Sequence, residues 1–258
     1  MDLKLTNQLF LICGASSGFG RAVAERLLEE GAHIIAVARR LEKLKELQES
    51  YPEQVQYIIG DLTDSSVLDE IDSLLKNQQL YGVLVNAGGP PAATALETTM
   101  EQWDEAYQSV LRWKVDLTKR LVPYFSQHGY GRILFVESQS IKQPIPSLVL
   151  SNAFRAAVAG FAKTLSSEIA NQGITVNILA PGSHETPAIE RVIKKRAEES
   201  GKSFEEVKKS MEESIPVGRM GTGDEFASLA AWLLSKHSGY ITGQTISHDG
   251  GNIMGLFG

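Results

Sequence analysis

Three glycines, Gly14, Gly18 and Gly20, punctuate the segment "CGASSGFG". Glycine permits a tight turn and close backbone approach, so such a run can fold around a phosphate where a helix begins. Ser16, Ser17 and Phe19 complete the same loop. Further on, Arg39 and Arg40 stand together with no acid until Glu42. In a dinucleotide site an acid here accepts from the ribose 2′-hydroxyl, whereas an arginine accommodates a 2′-phosphate that matches its guanidinium fork. The pair therefore points to NADP(H) over NAD(H). Asp61, beside Leu62, could accept from an adenine amino group, and Asn86, Ala87 and Gly88 would line the same crevice.

These residues need a scaffold that brings several strand ends together. Short apolar runs recur at Leu9–Gly14, His33–Arg39, Val55–Asp61, Gly82–Gly88, Arg132–Ser138, Ile174–Gly182 and Gly243–Gly251. They are rich in Val and Ile and do not alternate cleanly, as expected of strands buried on both faces. Helical patterns such as Arg21–Glu30 and Leu41–Ser50 lie between them. Strand–helix alternation predicts an α/β fold, a doubly wound parallel sheet of about seven strands flanked by helices, the Rossmann architecture. No linker or repeat breaks the chain, so residues 1–258 read as one domain. The segment 188–214 is densely charged with both signs. It reads as two solvated helices with i,i+4 pairs, which could also serve as a lid over a substrate cleft.

The 258 residues are 43% apolar and 22% charged, with net charge −6 and pI about 5.5. Nothing resembles the basic footprint of a nucleic-acid-binding protein. The early apolar run, Leu9 to Cys13, is too short for a signal segment or a membrane span. Cys13 is the one cysteine, so no intrachain disulfide forms. A soluble, cytoplasmic protein without a metal site or membrane partner is expected. The helix Ser151–Asn171 is apolar on more than one face, which suggests packing on the sheet and against a second copy. A homo-oligomer, dimer or tetramer, follows, and the apolar ending "NIMGLFG" could tuck into a neighbour.

The whole pattern resembles the short-chain dehydrogenase/reductase family. The resemblance rests on "CGASSGFG", "NAG" at 86–88, Ser138 after the fifth strand, Pro181–Gly182 and "DGG" at 249–251. The ending "YITGQTISHDGG" looks most like the 3-oxoacyl-acyl-carrier-protein reductase branch. Family members transfer hydride between a nicotinamide and a carbonyl or alcohol carbon. A tyrosine exchanges the proton and a lysine four residues later supports it. A serine polarises the carbonyl, and an asparagine holds a relay water.

By the family's spacing from Ser138, tyrosine and lysine should fall at 151 and 155, where this chain has Ser151 and Arg155. No tyrosine occurs from Gly131 through Gly239. With Trp103 and Pro123 as helix ends, the asparagine's place falls near Val110 or Leu111. Of the four family residues only Ser138 remains. Arg155 could still hold ribose hydroxyls, yet it cannot exchange a proton near neutrality. Ser151 is a poor acid and fits a helix N-cap. Lys142 and His184 are the candidate proton donors near the nicotinamide. Thr186 matches a family threonine near the carboxamide and pyrophosphate. The charge on Glu137 is unusual at a strand end, and the pattern offers no account of it. Two readings follow for a small-molecule carbonyl or alcohol substrate: an NADP(H)-dependent oxidoreductase with an altered proton donor, or a dinucleotide-binding sensor or partner protein without turnover.

Overall fold

All seven apolar runs form strands in the computed structural model, which describes residues 1–256. The strands are β1 (Leu9–Cys13), β2 (His33–Ala38), β3 (Val55–Ile59), β4 (Leu80–Val85), β5 (Gly131–Val136), β6 (Ile174–Pro181) and β7 (Thr245–His248). β4 begins earlier than its run suggests, and β7 is shorter. Every pairing is parallel, and the order across the sheet is β3-β2-β1-β4-β5-β6-β7. The chain starts at the centre, winds outward through β2 and β3, then crosses back to β4. That reversal opens a crevice beyond the carboxyl ends of β1 and β4, the place where such sheets bind ligands.

Burial explains why the runs do not alternate. Every residue of β1, β5 and β6 is buried. The edge strands differ: β3 is buried at only two of its positions, and β7 is half-buried throughout. One face is covered by α1 (Gly18–Glu29), α2 (Leu41–Ser50) and, near the C-terminus, the helix Gly223–Leu234. α3 (Ser65–Leu75) helps to cover the other. A side chain such as Phe10 or Phe135, wholly out of water in these layers, stabilises the fold by roughly 1.5–3 kcal/mol.

The second face also holds one long helical stretch that joins α4 (Met100–Ala106) to α5 (Trp113–His128) through a π-helical segment, Tyr107–Arg112. Pro123 does not end this helix, as the sequence suggested. It forfeits one backbone hydrogen bond, but Leu121 and Phe125, both wholly buried, anchor the turns on either side. α6 (Val149–Ile169) follows β5 and packs on β6. α7 (Pro187–Ser200) and α8 (Phe204–Glu213) are the two charged helices anticipated at 188–214, followed by α9 (Gly223–Leu234). Lys195–Glu199, Lys208–Glu212 and Lys209–Glu213 face each other at i,i+4. α7 and α8 close over a small apolar cluster of their own, Ile193 and Val207 with Ile215 and Met220. Among the described residues no helix is long and apolar enough to cross a membrane. Of the apolar ending, Phe257 and Gly258 lie outside the described residues.

Candidate active site

The glycine-rich loop is shaped by contacts that only glycine permits. Gly14 has φ 71°, and a Cβ on it would lie 2.8 Å from Asn86 Nδ2. A Cβ on Gly20 would lie 2.2 Å from the Gly14 carbonyl oxygen. α1 therefore starts tight against the loop, and its N-cap residue, Ser17, makes no side-chain capping bond. The first N–H groups of α1 are left for a ligand, with the positive end of the helix dipole behind them. Phe19 points inward, its ring 5.0 Å from that of His184. Asn86 donates to the Cys13 carbonyl at 3.3 Å and ties β4 to β1. Cys13 is wholly buried, and burial pushes its thiol pKa up to about 12, so it acts as a small apolar residue.

The two arginines divide their work. Arg40 reaches back to the loop and donates from Nε and Nη2 to Ser16 Oγ at 3.2 and 3.0 Å. Arg39 is largely exposed and lies 3.4 Å from Asp61. Asp61 already accepts from the Thr63 backbone and hydroxyl, and its pKa is lowered despite partial desolvation, through those bonds and Arg39. Leu62 packs into the core beneath it. An N-terminus without a side-chain cap, a loop with no room for a Cβ at Gly14 or Gly20 and a guanidinium at the loop's edge fit a dinucleotide carrying an extra phosphate. Thr186 caps α7 by accepting from Ile189, and its methyl group lies 3.9 Å from where a Gly18 Cβ would be. The segment after β6, through Pro181 and Gly182, thus meets the phosphate loop. Ala87 and Gly88 lie on the loop after β4, and no atom falls within 4 Å of a Gly88 Cβ.

At the end of β5, Ser138 caps a short 3-10 turn and its Oγ accepts from the Ser140 backbone at 3.1 Å. The Ser138 O–H remains free to donate. This turn packs against α6. Ser151 is not the N-cap expected of it. The helix begins two residues earlier, with Leu148 at the cap position and no side-chain bond. Ser151 instead accepts from Arg155 Nε at 3.0 Å inside the first turns. Asn152 braces the preceding loop through the Ile145 backbone.

Glu137 finds its explanation in three dimensions. Its Oε2 accepts from Arg155 Nη1 at 2.9 Å, and its Oε1 from Lys114 Nζ at 2.5 Å. All three residues are buried. Lys114, on the first turn of α5, carried no signal in the sequence because its helix position alone does not show which strand end it meets. Burial pulls the Lys114 pKa down while Glu137 opposes that shift. Val110, where the family's asparagine was sought, is buried in the π segment.

The two expected proton donors fare differently. His184 is buried, with Nδ1 3.1 Å from the Gly182 carbonyl and Nε2 2.8 Å from His248 Nδ1. Burial lowers its pKa. The neutral ring then donates from Nδ1 and accepts at Nε2, which leaves no nitrogen for a substrate. Lys142 is half-buried, its pKa lowered by burial and partly restored by Asp249. A separate hollow of about 370 Å³, lined in part by Asn7, His33, Glu53 and Tyr81, lies at the opposite, N-terminal ends of the strands.

A family model described as enoyl-(acyl carrier protein) reductase matches residues 14–252. The chain belongs to the short-chain dehydrogenase/reductase family. It is 33% identical over 259 residues to the 3-oxoacyl-acyl-carrier-protein reductase FabG of Thermotoga maritima, covering 98% of this chain and 100% of that one. It is 27% identical over 260 residues to the NADPH-dependent reductase BacG of Bacillus subtilis, with coverage of 98% and 100%. Among solved structures, L-sorbose reductase from Gluconobacter frateurii, complexed with NADPH and L-sorbose, superposes with a TM-score of 0.93 at 28% identity and coverage of 99% and 100%. The crevice beyond β1, β4 and β5 lies at the reversal of strand order, where open α/β sheets bind ligands.

Proposed function

We propose that the protein reduces a carbonyl group, 3-oxoacyl-like in class, with NADPH and with Arg155 and Ser151 in place of the family's lysine and tyrosine. The observation that carries this reading is the fixed Arg155 guanidinium, bonded to Ser151 and to Glu137 at the end of β5 and adjoining Gly89 on the loop after β4. The protein is an NAD(P)-dependent oxidoreductase of carbonyl or alcohol groups. The names of its relatives and its own Arg39–Arg40 pair support NADP(H).

When bound, NADPH supplies the hydride. The α1 N-terminus and the Gly14–Gly20 loop would hold the pyrophosphate, Arg40 and Arg39 the 2′-phosphate, and Arg155 the ribose hydroxyls. Asp61 and Leu62 flank the adenine, and Asn86, Ala87, Gly88, Pro181, Gly182 and Thr186 line the rest of the crevice. Ser138 and Ser151 each have a lone pair engaged and an O–H to donate, so two hydroxyls can stabilise the oxygen on which charge develops. Lys142 or water would supply the proton that the substrate oxygen takes up on reduction. α7 and α8 close the cleft as a lid. The small residues exposed along α6, Ala153, Ala156, Ala157 and Gly160, would pack against a second copy.

A second reading has its own support. An arginine side chain is not a proton donor near neutrality, and His184 has both nitrogens engaged. A site so short of exchangeable protons suits a dinucleotide sensor. Titration with NADPH and NADH, followed by absorbance assays with ketones that include 3-oxoacyl thioesters, separates the two. Oxidation of NADPH by a ketone is the expected result. Binding without turnover favours the sensor, and no binding of either dinucleotide defeats both.

A further inference from the structure

Burying Lys114, Glu137 and Arg155 together is costly, because several kcal/mol of hydration are lost per ion. Apolar side chains of the same volume would serve stability as well or better. The trio therefore has to be understood through what it orients. Each Glu137 oxygen takes one cation, at 2.5 Å from Lys114 and 2.9 Å from Arg155. On the guanidinium, Nε is spent on Ser151, and Nη1 on Glu137 with the Val136 carbonyl at 3.5 Å. Nη2 makes no hydrogen bond with the described residues. It lies 3.4 Å from where a Cβ on Gly89 would stand, beside the open position at Gly88.

We infer that Glu137, backed by Lys114, is a positioning residue that locks the Arg155 guanidinium so that its Nη2 edge faces the crevice at Gly88–Gly89, as a contact for an oxygen of cofactor or substrate. The inference rests on the role given to Arg155 under the proposed reduction. Two cations against one carboxylate leave one positive charge in the cluster. Lys114 prevents the carboxylate from neutralising Arg155, so the free edge keeps its full attraction for an oxygen lone pair or a developing negative charge. Without Glu137, the two cations would face each other in a buried space. Lys114, whose pKa burial already lowers, is the one able to shed its proton.

Four proteins test this: the wild type, Glu137→Gln, and the double variants Lys114→Met/Glu137→Gln and Lys114→Met/Glu137→Leu. The readouts are NADPH affinity, kcat/KM for a reduced ketone between pH 6 and pH 10, and the Arg155 Nε–H resonance without cofactor. Glu137→Gln should lower kcat/KM by about 10- to 100-fold, the worth of one charge-assisted hydrogen bond. It should also add a titration absent from the wild type and shift the resonance. Lys114→Met/Glu137→Gln removes one charge of each sign and keeps an oxygen acceptor for Arg155. It should recover most of the loss and lose the added titration. Lys114→Met/Glu137→Leu has no acceptor and should not recover, even if it melts at the same temperature. Equal rates for the two double variants, or an unshifted resonance in Glu137→Gln, would overturn the inference. If Glu137→Gln does not fold, the two double variants decide alone. If the wild type shows neither binding nor turnover, the reductase reading fails separately, and the cofactor-free resonance still judges the positioning claim.

Discussion

The two ends of the crevice are built on different principles. At the β1–α1 end, backbone does the work: a loop that has no room for a Cβ at Gly14 or Gly20, N–H groups without a side-chain cap, and one arginine laid against a serine. At the β5–α6 end, side chains do it: three charges and the Ser151 hydroxyl held by one another in a space almost closed to water. Backbone cradles tolerate variation in side chains but none in glycine. A buried charge cluster tolerates only changes made in balanced sets. The first end therefore marks a class of ligand, and the second sets what can be done to it.

The sharpest way to break this contrast is at Arg155. Arg155→Met leaves Glu137 paired with Lys114 but strips the guanidinium from the crevice. Reduction should fall by about 100-fold or more in kcat/KM, given roughly 1.5–3 kcal/mol for each hydrogen bond to a charged group and more than one bond lost. A change within threefold would remove Arg155 from the reaction. Next comes Gly20→Ala, which forces a carbon against the Gly14 carbonyl. Overpacking of this kind costs about 1–3 kcal/mol, so the melting temperature should drop and NADPH affinity should weaken. An unchanged NADPH titration would mean that the cradle is not where the pyrophosphate sits.

Arg40→Ala should leave the fold intact and reduce the preference for NADPH over NADH by about tenfold or more. Equal effects on both dinucleotides would move the 2′-phosphate elsewhere. A smaller effect concerns His184. Its pKa in the folded protein lies below the unfolded value of 6.5. Between the two values the unfolded chain binds more protons, so stability declines as pH falls through that window. The slope is at most about 1.4 kcal/mol per pH unit. His184→Gln should flatten the dependence of the melting temperature on pH just below the unfolded value of 6.5. An unaltered slope would assign the acid sensitivity to another group.

The contrast also explains what could be read from residues alone. The strands showed themselves because β1, β5 and β6 are buried on both faces, which leaves unbroken apolar runs. The glycine loop showed itself because only glycine satisfies its geometry. Glu137 stood out but could not be interpreted, since its partners, Lys114 and Arg155, lie 23 and 18 residues away on different helices. Ser151 was misplaced at a helix cap because the helix starts at Val149 without a side-chain cap to announce it. Pro123 looked like a helix end because local rules treat it as one, and packing of its neighbours overrides that rule. The bond from His184 to His248 joins residues far apart in sequence and became visible only with β6 and β7 side by side.

The π segment Tyr107–Arg112 has a consequence for how such a site can change. A π turn closes one residue later than an α turn, so it absorbs an inserted residue and rotates everything that follows about the helix axis. Lys114 comes just after that segment and faces the sheet. Deletion of a single residue between Tyr107 and Arg112 would swing the ammonium off Glu137 and bring another side chain to the buried position. The chemistry at the end of β5 is thus adjustable in phase, by the length of the helical stretch that carries Lys114.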